Sequence, residues 1–203
     1  MADQNSAVKL AIIYYSSTGT NYQFALAAHE AAAEAGANVR LRKVQELAPD
    51  EAIDSNPQWR AHVDATKDVA VATNDDLEWA DAILFGTPTR FGNVTAQLKQ
   101  FLDQTGGLWF EGKLINKVVS GFTSASNPNG GQESTLLSLY TTMLHWGAII
   151  VNPGYTDPSI FASGGNPYGA STTVGEDKPS EEELEAVSHQ TRRMLEVAGK
   201  LKS

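Results

Sequence analysis

The chain has 203 residues, 41% of them hydrophobic and 19% charged, with a formal net charge of −9 and no cysteine. That length suits one domain spanning 1–203 rather than two, and an acidic balance with no basic stripe argues against nucleic-acid and anionic-membrane partners. The missing thiols exclude disulfides, thiolate nucleophiles and cysteine-ligated metal or iron–sulfur centres, so any redox chemistry has to come from a bound cofactor.

In chain order, the opening MADQNSAVKL lacks a basic segment followed by an apolar run. No later stretch approaches the ~18 apolar residues of a membrane span, so the expected location is the cytoplasm. Apolar runs of strand length follow at 8–15, 38–44, 81–88, 117–124 and 147–154. Helical periodicity fills most of the intervals, at 22–35, 96–102 and 133–145, and a final helix is announced by Pro179 and a capping box of Ser180 and Glu183. Five strands alternating with helices predict an α/β fold with a parallel sheet covered on both faces. Two segments break the alternation: the crossover 49–80 reads as long and irregular, and 152–179 reads as a loop of unusual length.

In such a sheet, ligands sit beyond the carboxyl ends of the strands, where the turns after strands one, three and four converge. Those turns read SSTGTN (16–21), GTPTRFGN (86–93) and TSASNPNGGQ (123–132). Any one of them alone is ordinary loop chemistry; three at strand carboxyl ends point to a ligand. No G-x-G-x-x-G with a distal acid and no G-K-[ST] is present, which removes dinucleotide and P-loop sites. The strand ends also lack the carboxylates of a phosphate-accepting regulator. A mononucleotide-like phosphate remains, held by neutral donors at Ser16, Ser17, Thr18, Gly19, Thr20 and Asn21 and by a helix N-terminus. The four histidines are too scattered for a metal site.

SSTGTN after strand one resembles the phosphate loop of flavodoxin-type FMN proteins. FGTPTRFGN followed by FLDQTGGLW (101–109), with GGQEST (130–135) and GGNPYGAST (164–172), resembles the WrbA family of FMN-dependent NAD(P)H:quinone oxidoreductases over nearly the whole chain. The resemblance implies a flavodoxin-like, five-stranded parallel sheet of order 2-1-3-4-5, with FMN as cofactor. Ser16 to Asn21 would then hold the phosphate, with Thr18 also beside the nicotinamide. Pro88, Thr89, Arg90 and Phe91 would wall the isoalloxazine, and the turn holding Ser124, Ala125, Ser126, Asn127, Gly130 and Gly131 would follow the ribityl chain and ring edge. Trp109 would line the substrate side and His145 would reach the flavin pocket, the pockets being completed by neighbouring subunits of a homotetramer.

Read without the resemblance, Arg90 is equally a surface arginine, Phe91 and Trp109 equally core or rim aromatics, and His145 a histidine favoured by a helix C-terminus. As a cation beside a flavin, Arg90 would bias it toward two-electron chemistry. The expected activity is reduction of a quinone to its hydroquinol by NADH or NADPH, with both substrates using one flavin face in turn and no side chain assigned as catalytic. The rival is a flavodoxin-type electron carrier, for which the acidic surface would serve docking; a regulatory binding protein finds no support in these residues. The chain departs from the family at Asn127-Pro128-Asn129, where small residues are usual, and at Trp146.

Overall fold

The computed structural model describes residues 7–173 and 178–202; the stretch 1–6, the end of the expected long loop at 174–177 and residue 203 lie outside them. β1 (Lys9–Tyr14) leads into α1 (Thr20–Glu34), β2 (Asn38–Lys43), the short helices α2 (Asp50–Asp54), α3 (Pro57–Ala65) and α4 (Asn74–Trp79), then β3 (Ala82–Pro88), α5 (Ala96–Asp103) and α6 (Gly106–Phe110). There follow β4 (Val118–Ala125), α7 (Gln132–His145), β5 (Ile149–Ile150), α8 (Pro158–Ala162), β6 (Ser171–Thr173) and α9 (Glu181–Lys202).

The parallel order is β2-β1-β3-β4-β5. Its central strands β1, β3 and β4 are buried at nearly every position because both faces are covered, and β4 carries Ser120, Thr123 and Ser124 among its apolar residues. On β1, Ala11 and Ile13 face one core with Leu98, Phe101, Leu136 and Met143 of α5 and α7. Leu10, Ile12 and Tyr14 face the other, with Phe24, Ala25 and Ala28 of α1 and Val187 and Met194 of α9. The alanines of α1 let that helix lie close to the sheet. Gly86 does the same for Phe122, since a Cβ there would stand 2.2 Å from the ring.

The expected five strands become six. After Val151, whose N–H donates to Val119 O at 2.8 Å, Pro153 can donate nothing to a ladder, and the chain leaves the sheet. It forms α8, capped by Asp157 accepting from Ser159 N–H at 2.9 Å, and returns as β6 beside the carboxyl end of β4. The expected strand 147–154 is therefore two paired residues, and 152–179 holds a helix and a strand.

Between departure and return, Gly121 of β4, paired with Phe85 of β3 on one side, has no strand on the other, and two side chains complete the ladder there. Tyr140 Oη accepts from Gly121 N–H at 3.2 Å and donates to Tyr168 O. Gln190 of α9, fully buried, donates from Nε2 to Gly121 O at 2.8 Å and to Ser120 Oγ at 2.7 Å, and its Oε1 accepts from Ala170 N–H at 2.7 Å. Burial, ahead of its other contacts, pushes the Tyr140 hydroxyl up to about 12, so it keeps the proton it donates.

The crossover 49–80 is built of capped turns rather than irregular chain. Asn56 Oδ1 accepts from Gln58 and Trp59 N–H ahead of Pro57 at the start of α3, and Thr73 with Asp76 forms a capping box on α4. Asp76, buried, also pairs with Arg40 and Arg42 of β2 at 3.1 and 3.0 Å.

Candidate functional site

The turn after β1 enters α1 through Gly19, whose φ of +102° makes it a left-handed N-cap. Ser16 Oγ accepts from Gly19 N–H at 3.0 Å, and the first intrahelical bond runs from Gln23 N–H to Gly19 O. The amides of Thr20, Asn21 and Tyr22 thus precede the ladder, at the positive end of a 15-residue helix with no acid in its first turn. Asn21 is 1% exposed; its Nδ2 donates to Ser124 Oγ at 3.0 Å, and its Oδ1 is buried with no partner. This side-chain amide therefore ties the first turn to the third, while the backbone amides at the start of α1 stay open. This arrangement can hold a tetrahedral anion.

The second and third turns interlock. Thr89 N–H donates to Ser124 O at 2.8 Å, and Thr89 Oγ1 donates to Gly130 O at 3.2 Å and accepts from Gly92 N–H at 3.2 Å. A Cβ on Gly131 would lie 2.8 Å from Gly92 Cα, and one on Gly130 would lie 2.5 Å from Ala125 Cβ, so both glycines are needed for the approach. Gln132 Nε2 bonds Asn127 O and Thr173 Oγ1, both at 3.0 Å, which joins the third turn to β6.

Arg90 and Asn93 exchange both backbone hydrogen bonds around Phe91 and Gly92, whose φ values are +53° and +77°. Two left-handed residues in a two-residue turn are the type I′ pattern, which rarely takes a bulky aromatic. Phe91 makes no packing return on that backbone, being 102% exposed. Strain of this kind gathers at functional sites.

Behind the first turn, the Glu46 carboxylate accepts from Tyr15 Oη, Gln97 Nε2, Trp59 Nε1 and the N–H groups of Leu47 and Ala48, at 2.8 to 3.2 Å. Burial alone would raise this carboxyl; bonds from Ala48, Gln97, Tyr15 and Leu47 outweigh it and hold Glu46 below its ordinary value. Burial, and next the Glu46 charge, raises the Tyr15 hydroxyl. A cavity of about 240 Å³ opens on the β2 side of this turn, lined by Tyr14, Ser16, Lys43, Glu46, His62 and Lys67 among others.

The structure therefore brings together Ser16 to Asn21, Pro88 to Phe91 and Ser124 to Gly131. It puts Trp109 and His145 elsewhere. α7 starts at the carboxyl end of β4 and runs back about 21 Å over its 14 residues, so His145 lies next to β5, which pairs with the first residues of β4. Trp109 Nε1 donates to His145 O at 2.9 Å, and their chain neighbours Phe110 and Leu144 are exposed. Trp146 is a core residue, 5% exposed and edge-on to Phe85. Sequence reasoning missed His62, Tyr22, Glu46 and Gln97 as neighbours of the first turn; only the folded crossover gathers them, and no spacing signals it.

A family model described as NADPH-dependent FMN reductase matches residues 8–158. Two relatives, each named NAD(P)H dehydrogenase (quinone), align over 96% of this chain and 97% of their own. They are the Deinococcus radiodurans protein, 55% identical over 194 residues, and the Aromatoleum aromaticum protein, 46% identical over 202. Among solved structures, the flavodoxin, WrbA-like protein from Agrobacterium tumefaciens superposes with a TM-score of 0.68 at 25% identity, covering 96% of this chain and 99% of that one. The oxidised flavodoxin 2 from Bacillus cereus, at 17% identity, shares the fold with a TM-score of 0.61 over 97% of this chain and all of its own. With a family model spanning most of the chain, and relatives this similar along nearly their full length, the chain belongs to the flavodoxin-like NADPH-dependent FMN reductase family, among its WrbA-type NAD(P)H dehydrogenases (quinone).

Proposed function

We propose that this chain binds FMN across the three interlocked turns and uses it to reduce quinones to hydroquinols with NADH or NADPH, both substrates taking one flavin face in turn. The observation that carries the reading is the positive end of α1, where the amides of Thr20, Asn21 and Tyr22 precede the first intrahelical bond and no acid stands in the first turn. An FMN phosphate fits that loop, because the helix amides and the hydroxyls of Ser16, Ser17, Thr18 and Thr20 offer donors and the first turn of α1 carries no acid.

Bound FMN supplies the two-electron chemistry, accepting a hydride from the nicotinamide and passing both electrons to the quinone. The protein's share is placement. Ser16 to Asn21 hold the phosphate. Pro88, Thr89 and the Arg90–Asn93 turn form a rigid wall, with the Arg90 charge beside the ring and Phe91 projecting toward incoming substrate. The turn from Ser124 to Gly131 sets the ring edge, braced by Gln132 on β6. The described residues form one sheet with one such crevice, which supports successive rather than simultaneous occupancy.

Trp109 and His145 complete the pocket of a neighbouring subunit in a homotetramer. Their position at the far end of the sheet, beside the exposed Phe110 and Leu144, supports this role over one within their own subunit. A cytoplasmic location belongs to the same proposal; among the described residues no helix is long and apolar enough to cross a membrane.

Initial-rate kinetics test the reading, with NADH or NADPH varied against benzoquinone. Parallel double-reciprocal lines support a shared face. Converging lines overturn it, and a flavin that neither nucleotide bleaches while a chemical reductant leaves a long-lived radical supports the electron carrier instead.

A further inference from the structure

The crossover after β2 returns over the first turn, and it brings an imidazole with it. His62 of α3 has a ring nitrogen, Nδ1, 3.5 Å from where a Cβ on Gly19 would stand. Its ring lies 5.5 Å, centroid to centroid, from Tyr22 in the first turn of α1, and Tyr22 stacks on Tyr14 at 5.4 Å. The side chain of His62 is half-buried and makes no hydrogen bond among the described residues. A half-buried imidazole with both nitrogens uncommitted, beside the amides of Thr20, Asn21 and Tyr22 that precede the α1 ladder, faces the same ligand that those amides would hold.

We propose that His62 is a positioning residue for the FMN phosphate, donating to it from the imidazolium form. This rests on the FMN reading above and adds to the neutral donors of Ser16 to Asn21 a charge that can be switched. Lys43 is no substitute, because its Nζ is directed to Thr66 O at 2.6 Å. The groups facing His62 are Tyr14 of β1, Tyr22 of α1, Lys43 of β2, Glu46 of the loop after it and Lys67 beyond α3. Burial, then the Lys43 charge, holds the ring below its ordinary value in the protein alone, while a phosphate dianion acts in the opposite sense. Binding FMN therefore takes up a proton. The gain in affinity is full below the free-protein value and disappears as pH rises through the bound value. FMN's own phosphate loses charge near pH ~6, equally for any variant, so the ratio of wild type to variant isolates His62.

The test is flavin-fluorescence titration of deflavinated protein with FMN and with riboflavin, which lacks the phosphate, for wild type and His62→Gln. FMN binding should be roughly tenfold tighter in wild type near pH ~6 and equal in the two near pH ~9, the size of one charge-assisted hydrogen bond. Riboflavin should bind both proteins alike. NMR titration of the wild-type His62 ring should show its pKa rise on adding FMN, and this readout decides the matter if the variant fails to fold. FMN curves that overlay at every pH, or an unmoved His62 titration in protein that binds FMN, overturn the role of His62 alone. Wild type that quenches no FMN at any pH overturns the FMN reading, and this inference with it.

Discussion

Replacing Gln190 with leucine tests how the fifth-strand gap is closed. Leucine fills a similar volume without a polar end, so little packing is lost. Ala170 N–H and Gly121 O, both inside the sheet, would lose the partners that Gln190 gives them at 2.7 and 2.8 Å. Each buried backbone group left unpaired costs ~1–3 kcal/mol, or ~2–6 kcal/mol for the two. In a domain of this size that lowers the melting temperature by roughly 5–15 °C. Calorimetry or circular dichroism on the wild type and Gln190→Leu, with Tyr140→Phe as a companion that orphans Gly121 N–H, reads the effect. Flavin titration should show weaker FMN binding in Gln190→Leu as well, since β6 braces the third turn through Gln132 and Thr173. A fall of less than about 2 °C, too small for even one orphaned group, would mean that the gap closes by other means and refute the reasoning.

Asn21→Leu should weaken FMN binding about tenfold, measured by fluorescence quenching, because it removes the tie from Asn21 Nδ2 to Ser124 that holds the first turn against the third. Phe91→Gly should leave the melting temperature nearly unchanged, since glycine tolerates a φ of +53° and the phenyl ring packs on nothing. Phe91→Val should lose ~1–2 kcal/mol, and both variants should lower kcat/KM for quinone, by roughly tenfold if the ring contacts substrate. Glu46 has a lowered folded pKa, so its contribution to stability is present at neutral pH and is lost as pH falls through that value, below about 4.5. Urea unfolding across acid pH should therefore be flatter for Glu46→Gln than for wild type.

The strands were legible because a sheet buried on both faces writes itself as unbroken apolar runs, and the turns because hydroxyls and glycines cluster where a strand hands over to a helix. The strand order came with the family resemblance. What escaped has physical reasons. α2, α6 and α8 span five residues each, too short for a helical period to repeat. β6 reads Ser-Thr-Thr and owes its existence to β4 rather than to its own pattern. Gln190 looks like an ordinary polar residue in a helix of alternating charge, and only the folded chain shows it filling a missing rung. Trp109 and His145 stand close in the motif pattern to residues at the other end of the sheet, because chain order says nothing about which end a helix finishes on.

Under the proposed assembly, the distance between those two ends would make activity depend on abundance. A rigid sheet cannot fold back on itself, so no isolated subunit can bring its own Trp109 to its own phosphate loop. If the pocket is finished by that tryptophan, the capacity to turn over quinone belongs to the encounter between copies, and it rises and falls with their concentration before any substrate is present. Expression level would then set not only how much enzyme there is, but what fraction of it is complete.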